Sequence, residues 1–278
     1  MSEVRSASVA APGRLRNEDA AFHVGGLVGV LDGVTQAEGV ESGCVHGAAW
    51  YVQRLSARLV EHYSAQPNRS LADLLTDSIA AVRGDHPDCD LTRPATPAAT
   101  VCLVCVGDER VDYLVLCDAT LVIESEGGDI LTVTDDRFQQ VLARLHQRTT
   151  ALHTVDDALS VNRGYTPGKW EYINREGGYW IAAADPSAAA HAITGTLARE
   201  GEASPSRIAL LSDGAACAVD SLGILTWAGL FKVLSEDGPS ELIRQVRDAE
   251  RTRQSAGHIT GKPHDDATAA VLLITEEP

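Results

Sequence analysis

The chain has 278 residues, 44% hydrophobic and 22% charged, which is enough for a large buried core and argues against disorder. Its formal net charge of −16 should repel nucleic acid and anionic lipid, and no stretch approaches the roughly 20 apolar residues of a membrane span. The N-terminus carries Glu3 and Arg5 and no apolar h-region, so the expectation is a cytoplasmic protein with neither nucleic-acid nor membrane partners.

In chain order, Ala21–Val24 and Leu27–Leu31 read as short strands joined by a Gly25-Gly26 hairpin. From Glu41 to about Tyr63, apolar residues recur at helical spacing, and Pro67-Asn68 ends the pattern. Ser70 is placed to cap a second helix, with Asp73 at N3 and Leu71, Leu74, Leu75, Ile79 and Val82 on one face. A proline-containing loop spans Gly84–Pro97. Two apolar runs, Ala98–Val106 and Val111–Ile123, are predicted as strands, and Asp129–Thr134 as a third. Cys102 and Cys105 form a CxxC inside the first run. Positions three apart on a strand face opposite ways, so small buried hydrophobes are expected there, not a redox or zinc pair.

Helices are expected over Gln139–Thr149 and His153–Val161. Asn162–Gly178, rich in Gly, aromatics and charge, reads as a flap-like loop. Strands are predicted at Tyr179–Ala184, Ala192–Leu197, Ile208–Leu211 and Ala267–Ile274, with a helix opened by Pro239 that turns Leu242, Ile243 and Val246 inward. No repeat or linker appears. The expectation is a single domain over 1–278 with a flap-like insertion around 135–195.

Acidic residues recur where strands begin or end. Glu18-Asp19 precedes one, Asp32 closes another, Asp118 interrupts an apolar run, Asp213 follows Ile208–Leu211, and Asp265-Asp266 leads the last. Each alone is as well explained as a turn former. Converging, they would suit hard divalent cations, since a lone carboxylate in an apolar setting is costly. Gly33 after Asp32 would leave a carbonyl free to approach such an ion.

The ordered set Arg14…Glu18-Asp19, Leu31-Asp32-Gly33, Ala98-Ala99-Thr100, Cys117-Asp118-Ala119, Leu211-Ser212-Asp213-Gly214 and Asp265-Asp266-Ala267-Thr268 resembles the protein phosphatase 2C-type, or PPM, family, in a divergent, bacterial-like form. The resemblance implies an α+β fold: a four-layer α-β-β-α sandwich of two antiparallel sheets flanked by helices. It implies a metal-dependent serine/threonine phosphoprotein phosphatase that hydrolyses phosphate monoesters through a metal-bridging hydroxide. Two divalent cations, Mn2+ or Mg2+, would be held by Glu18, Asp32, the Gly33 carbonyl, Asp213 and Asp265, with Asp32 bridging. A third ion would sit at Asp118. Arg14 would bind the phosphate, and Asp19 and Asp266 would support the ligands from behind. The implied partner is a phosphorylated protein or peptide.

The chain departs from the family pattern in places. Val34 stands where many members have histidine or methionine, Asp266 where the family has asparagine, and Leu121 where it has arginine. Arg163, Trp170, Arg175 and Tyr179-Trp180 lie in the flap, where they would pack or grip a phosphopeptide. His264 would face solvent or donate to a metal-bound oxygen. Two alternatives stay open: a pseudophosphatase or binding module of the same fold, and a small-molecule phosphatase.

Overall fold

A computed structural model of the protein describes residues 2–36, 39–152, 168–256 and 264–274. One antiparallel sheet runs, in spatial order, β1 (Ser2–Val9), β10 (Ala267–Ile274), β9 (Pro205–Leu211), β6 (Thr120–Ser125) and β7 (Ile130–Thr134). The other runs β2 (Asp19–Val24), β3 (Leu27–Gly33), β4 (Ala99–Val106), β5 (Arg110–Leu116) and β8 (Ile193–Ala198). Helices α1 (Ala48–Ala65) and α2 (Leu71–Gly84) cover the β2–β8 sheet. Helices α4 (Asp213–Asp220), α5 (Trp227–Glu236) and α6 (Pro239–Ser255) cover the other, and α3 (Arg137–Leu152) leads towards the flap.

Strand alternation sorts the apolar side chains among the layers. On β4, Cys102 and Val104 face the opposing sheet while Val101 and Leu103 face the helices. On β9, Ile208 and Leu210 point between the sheets, and Ala209 and Leu211 point towards α4–α6. Such strands are buried on both faces, which is why they read as continuous apolar runs. The result is the expected four-layer α-β-β-α sandwich. Each fully buried leucine contributes roughly 1.5–3 kcal/mol. The CxxC behaves as expected: Cys102 lies in the inter-sheet core and Cys105 packs on the helical side. Among the described residues no helix is long and apolar enough to cross a membrane.

Several predicted elements change. Val111–Ile123 is not one strand: Cys117, at φ 66°, breaks it, and the chain passes from the second sheet to the first. Tyr179–Ala184 forms two isolated bridges, Tyr179 to Ile173 and Ala182 to Ala99, and no strand. Ser2–Val9 pairs with all of β10 although most of it is polar and accessible. Asp213-Gly214 opens α4 where its turn chemistry suggested only a turn. Ser70 caps α2 as expected, accepting from the Asp73 N–H at 3.1 Å. The predicted helix at His153–Val161 lies outside the described residues.

Candidate metal centre

The acidic positions come from both sheets and meet at one end of the sandwich. Asp19 opens β2 and Asp32 lies near the end of β3, directly opposite it in the antiparallel register. Cross-strand partners point to the same side, and like charges so placed repel. Gly33 packs tightly: a Cβ there would fall 2.6 Å from the Glu18 carbonyl oxygen, which accepts the Gly33 N–H at 2.9 Å.

Asp118 follows Cys117, a buried non-glycine residue in left-handed backbone. That strained corner ends β5, starts β6 and aims Asp118 at the sheet ends. Asp213 is the first residue of α4, with Ser212 at the N-cap position but its hydroxyl turned away from the helix. The Ser212 hydroxyl accepts the Thr268 N–H at 2.9 Å, and the Ser212 N–H bonds the Thr268 carbonyl at 2.9 Å, so the helix start is latched to β10. Gly214 has a strict requirement: a Cβ would meet the Asp266 carbonyl oxygen at 2.0 Å. Asp265 precedes β10.

Electrostatics places these carboxylates in one field. Burial first, then Asp19, Asp213, Asp265 and Asp118, hold Asp32 well above the usual carboxylate range. Burial, with Asp265 and Asp118, pushes Asp213 up to about 7. Asp213 and Asp32 both touch solvent, so protein walls the recess on most sides and leaves it open on one. Burial pushes Asp19 up to about 6; the Thr268 and Ser212 hydroxyls oppose this only in part, and neither Asp19 carboxylate oxygen has a hydrogen-bond partner. Asp118 is also raised, chiefly by burial, with Lys169 of the flap opposing.

The remaining predicted residues form the rim. Arg14 Nη1 pairs with Glu18 Oε2 at 2.5 Å, Arg14 Nη2 donates to the Thr35 hydroxyl at 3.0 Å, and that hydroxyl donates to Glu18 Oε2 at 2.6 Å. Glu18 is thus held by Arg14 and Thr35 and is absent from the leading influences on Asp32. Asp266, 2% exposed, accepts the Ala11 N–H at 2.7 Å on one oxygen and the Glu18 N–H at 2.6 Å on the other. It fastens the Arg14–Glu18 loop to the start of β10. His264 keeps only 14% of its side chain exposed and turns to Glu250: its Nδ1 lies 2.7 Å from that carboxylate, which also pairs with Arg247. Arg247 in turn donates to the Asp265 carbonyl at 2.5 Å.

Sequence reasoning passed over Thr35, Lys169 and Arg247. Thr35 was findable, since a hydroxyl two residues after Gly33 is well placed to meet the Arg14 segment. Lys169 and Arg247 carried no local signal.

The sequence matches the protein phosphatase 2C family over residues 13–247. The chain belongs to that family. Solved structures agree on the fold. The catalytic domain of the serine/threonine protein phosphatase PstP, in complex with two manganese ions, superposes with a TM-score of 0.57 at 16% identity, covering 99% of each chain. Stp1, a serine/threonine phosphatase from Staphylococcus aureus, gives 0.61 at 14%, covering 99% of this chain and 96% of that one. PppA, a regulatory component of T6SS in Pseudomonas aeruginosa, gives 0.58 at 18%, covering 98% and 97%. No curated protein sequence matches significantly.

Within the family frame, the departures gain physical reasons. Val34 packs beside Cys117, Val141, Tyr179 and Ile181, and its N–H is bound to the Ala98 carbonyl at 2.9 Å. Leu121 is fully buried between the sheets. Asp266 takes two backbone N–H groups on its two oxygens, which asparagine, with one acceptor oxygen, could not match. In the flap, Trp170 is buried, Arg175 donates to the Glu171 carbonyl, and Trp180 stacks on His191 with ring centres 3.4 Å apart. These contacts are packing; Arg163 lies outside the described residues.

Proposed function

We propose that this protein is a metal-dependent serine/threonine phosphoprotein phosphatase. The observation that carries it is the Asp19–Asp32 pair, opposed across two strands, with both Asp19 oxygens unpartnered and Asp213, Asp265 and Asp118 adding negative field. Such a set offers the oxygen ligands that divalent cations take, although among the described residues its carboxylates do not close into a three-ligand group and would have to draw together around an ion. The set is all-oxygen and over-supplied with negative charge, which suits Mn2+ or Mg2+ over softer metals. Asp32, Asp213, Asp265, the Gly33 carbonyl and Glu18 would hold two ions, and Asp118 a third.

When bound, the pair of cations supplies charge that neutralises the carboxylates and activates water near neutral pH for attack on phosphorus. Arg14 offers a planar fork of donors to the phosphoryl oxygens. Glu18 and Thr35 hold that fork in place, so little side-chain entropy remains to be lost on binding. Asp266 positions the whole Arg14 segment. Asp19, behind Asp32, keeps an acceptor in the recess for a proton on a neighbouring water.

On the flap side, Arg137, Arg144, Trp180 and His191 line an open groove of about 920 Å³. Arg137 pairs with Asp135, whose N–H bonds the Cys117 carbonyl, so the groove begins beside the Asp118 corner. Its open lining, in which Arg137 and Arg144 stand with Glu176, has more room for a phosphoprotein chain than a small metabolite needs.

A second reading, a pseudophosphatase of the same fold, draws on Arg14, whose two terminal nitrogens are already engaged. Turnover of p-nitrophenyl phosphate with added manganese tests both. Asp32→Ala and Asp213→Ala should each lower kcat/KM by roughly 10²–10³-fold. No turnover in the manganese-loaded wild type would favour the pseudophosphatase, and faster hydrolysis of phosphometabolites than of phosphopeptides would favour a small-molecule enzyme.

A further inference from the structure

Away from the carboxylate recess, the loop before α1 passes the loop after α2, and three soft ligands meet there. Cys44 Sγ lies 3.4 Å from His46 Nδ1, and Cys89 Sγ lies 3.6 Å from both. Zinc binds thiolate at about 2.3 Å and imidazole at about 2.0–2.1 Å, so tetrahedral angles put two sulfurs about 3.8 Å apart and sulfur about 3.6 Å from nitrogen. The observed triangle matches three corners of that tetrahedron. It is not a disulfide: both cysteines are free, and their sulfurs are far beyond the ~2.05 Å of an S–S bond.

The surroundings favour a built site. The His46 N–H donates to Cys44 Sγ at 3.4 Å, an interaction that stabilises sulfur as thiolate. The Asp90 N–H bonds the Gly43 carbonyl at 2.8 Å, so the two loops are already joined beside the ligands. His86, only 5% exposed, places Nδ1 2.8 Å from the Val82 carbonyl. That contact fixes the proton on Nδ1 and leaves Nε2 with a bare lone pair, and Nε2 is buried without a partner. The His86 ring centre lies 5.2 Å from that of His46, and Trp50 stacks on His46 at 4.1 Å, shielding one side.

We propose that Cys44, His46 and Cys89 bind a structural zinc ion, with a water as the fourth ligand or His86 Nε2 after a shift of its ring, since that residue lies outside the three-ligand group. The site is chemically distinct from the recess: two thiolates and imidazole select zinc, where an all-oxygen set selects manganese or magnesium. Its effect is mechanical. It staples the segment that follows Asp32 and Gly33 on β3 to the loop that feeds β4, whose Ala99 and Thr100 pair with Gly33 and Asp32. The inference does not depend on phosphatase activity.

Cobalt(II), a spectroscopic stand-in for zinc, tests it on the full chain under reducing conditions. The protein stripped by chelator should take up one cobalt that gives a sulfur-to-cobalt charge-transfer band and tetrahedral d–d absorption. Zinc should abolish the band by displacement. The band should be lost in Cys44→Ser and in Cys89→Ser, and kept in the Asp32→Ala, Asp213→Ala double variant, whose recess is disabled. A tenfold or greater loss of zinc affinity in His86→Gln assigns that residue as the fourth ligand, and an unchanged affinity assigns water; both support the three-residue site. Should the serine variants fail to fold, zinc must still protect two thiols of the wild type, Cys44 and Cys89, from alkylation. Absence of the charge-transfer band, its persistence in both serine variants, or equal alkylation with and without zinc would overturn the site.

Discussion

The carboxylate recess and the Cys44–His46–Cys89 cluster solve opposite problems with the same backbone. In the recess, strand ends force aspartates together, and ionising them is opposed by burial and by one another. In the cluster, two thiols and an imidazole can all be neutral, so the loops meet at little electrostatic cost whether or not an ion is bound. Rigid hard ligands are strained without a cation; soft ligands on loops are merely unfastened. Removing ions should therefore expose repulsion at the first site and looseness at the second.

The largest expected effect separates activity from stability at Asp32. Asp32→Asn should lower turnover by roughly 10²–10³-fold yet stabilise the metal-free protein, because it removes an ionisable group whose charged form burial and its neighbours disfavour. A gain of about 1 kcal/mol would raise Tm by roughly 2–4 °C in a chain of this size. The pH dependence has a defined sign. Asp19 and Asp213 have folded-state values of about 6 and about 7, above the usual 3.8, so the folded chain binds more protons than the unfolded chain between those limits. Their contribution to the stability of the metal-free protein is full at low pH and is lost as pH rises towards about 7. Added manganese should stabilise most above that range. Thermal melts from pH 4 to 8, with chelator and with manganese, check both statements; a metal-free melt that rises with pH through this window in wild type more than in Asp32→Asn would break the contrast.

A smaller effect is expected where the recess is braced. Asp266→Asn restores the residue common in the family but leaves one of the Ala11 and Glu18 N–H groups unpaired. A buried donor so stranded costs about 1–3 kcal/mol. Urea unfolding should show that loss, and KM should rise as the Arg14 segment loosens. An unchanged midpoint would mean that the two hydrogen bonds do not carry the loop.

The same contrast explains what could be read from the sequence. The acidic positions stood out in the sequence because most of them sit at the ends of continuous apolar runs, which mark strands buried on both faces. The apolar runs pointed to layered sheets flanked by helices, and the four layers followed from the family resemblance of the motifs. The thiol–imidazole cluster was not legible: Cys44 and His46 lie in a stretch without an apolar period, and Cys89 is 45 positions from Cys44. Backbone geometry hid other features. A single left-handed residue, Cys117, divides an unbroken apolar run and delivers Asp118 to the recess, and no property of cysteine announces it. Ser2–Val9 lacks a fully buried face to betray a strand: its backbone hydrogen bonds to β10 hold it in place, helped by scattered side-chain contacts of Val4, Arg5 and Ser8.

The smallest effect concerns what the recess lacks. Hydrolysis of an alkyl phosphate needs a proton for the departing oxygen, whereas an aryl leaving group, being a weaker base, needs less help. Val34 offers no proton, and its packing under Tyr179 and Ile181, with its N–H tied to Ala98, leaves little room for a side chain there to swing outwards. His46, the imidazole that follows it in sequence, is held against Cys44 and Trp50 in the other site. Rates on a matched series of phosphate esters should therefore fall with increasing leaving-group basicity, by several-fold between aryl and alkyl members. Val34→His should flatten that dependence only if the imidazole can leave the apolar cluster; if it stays buried there, stability falls by about 1 kcal/mol or more and the dependence is unchanged. Equal rates on matched aryl and alkyl esters in the wild type would mean that another group, outside the recess as drawn, supplies the proton.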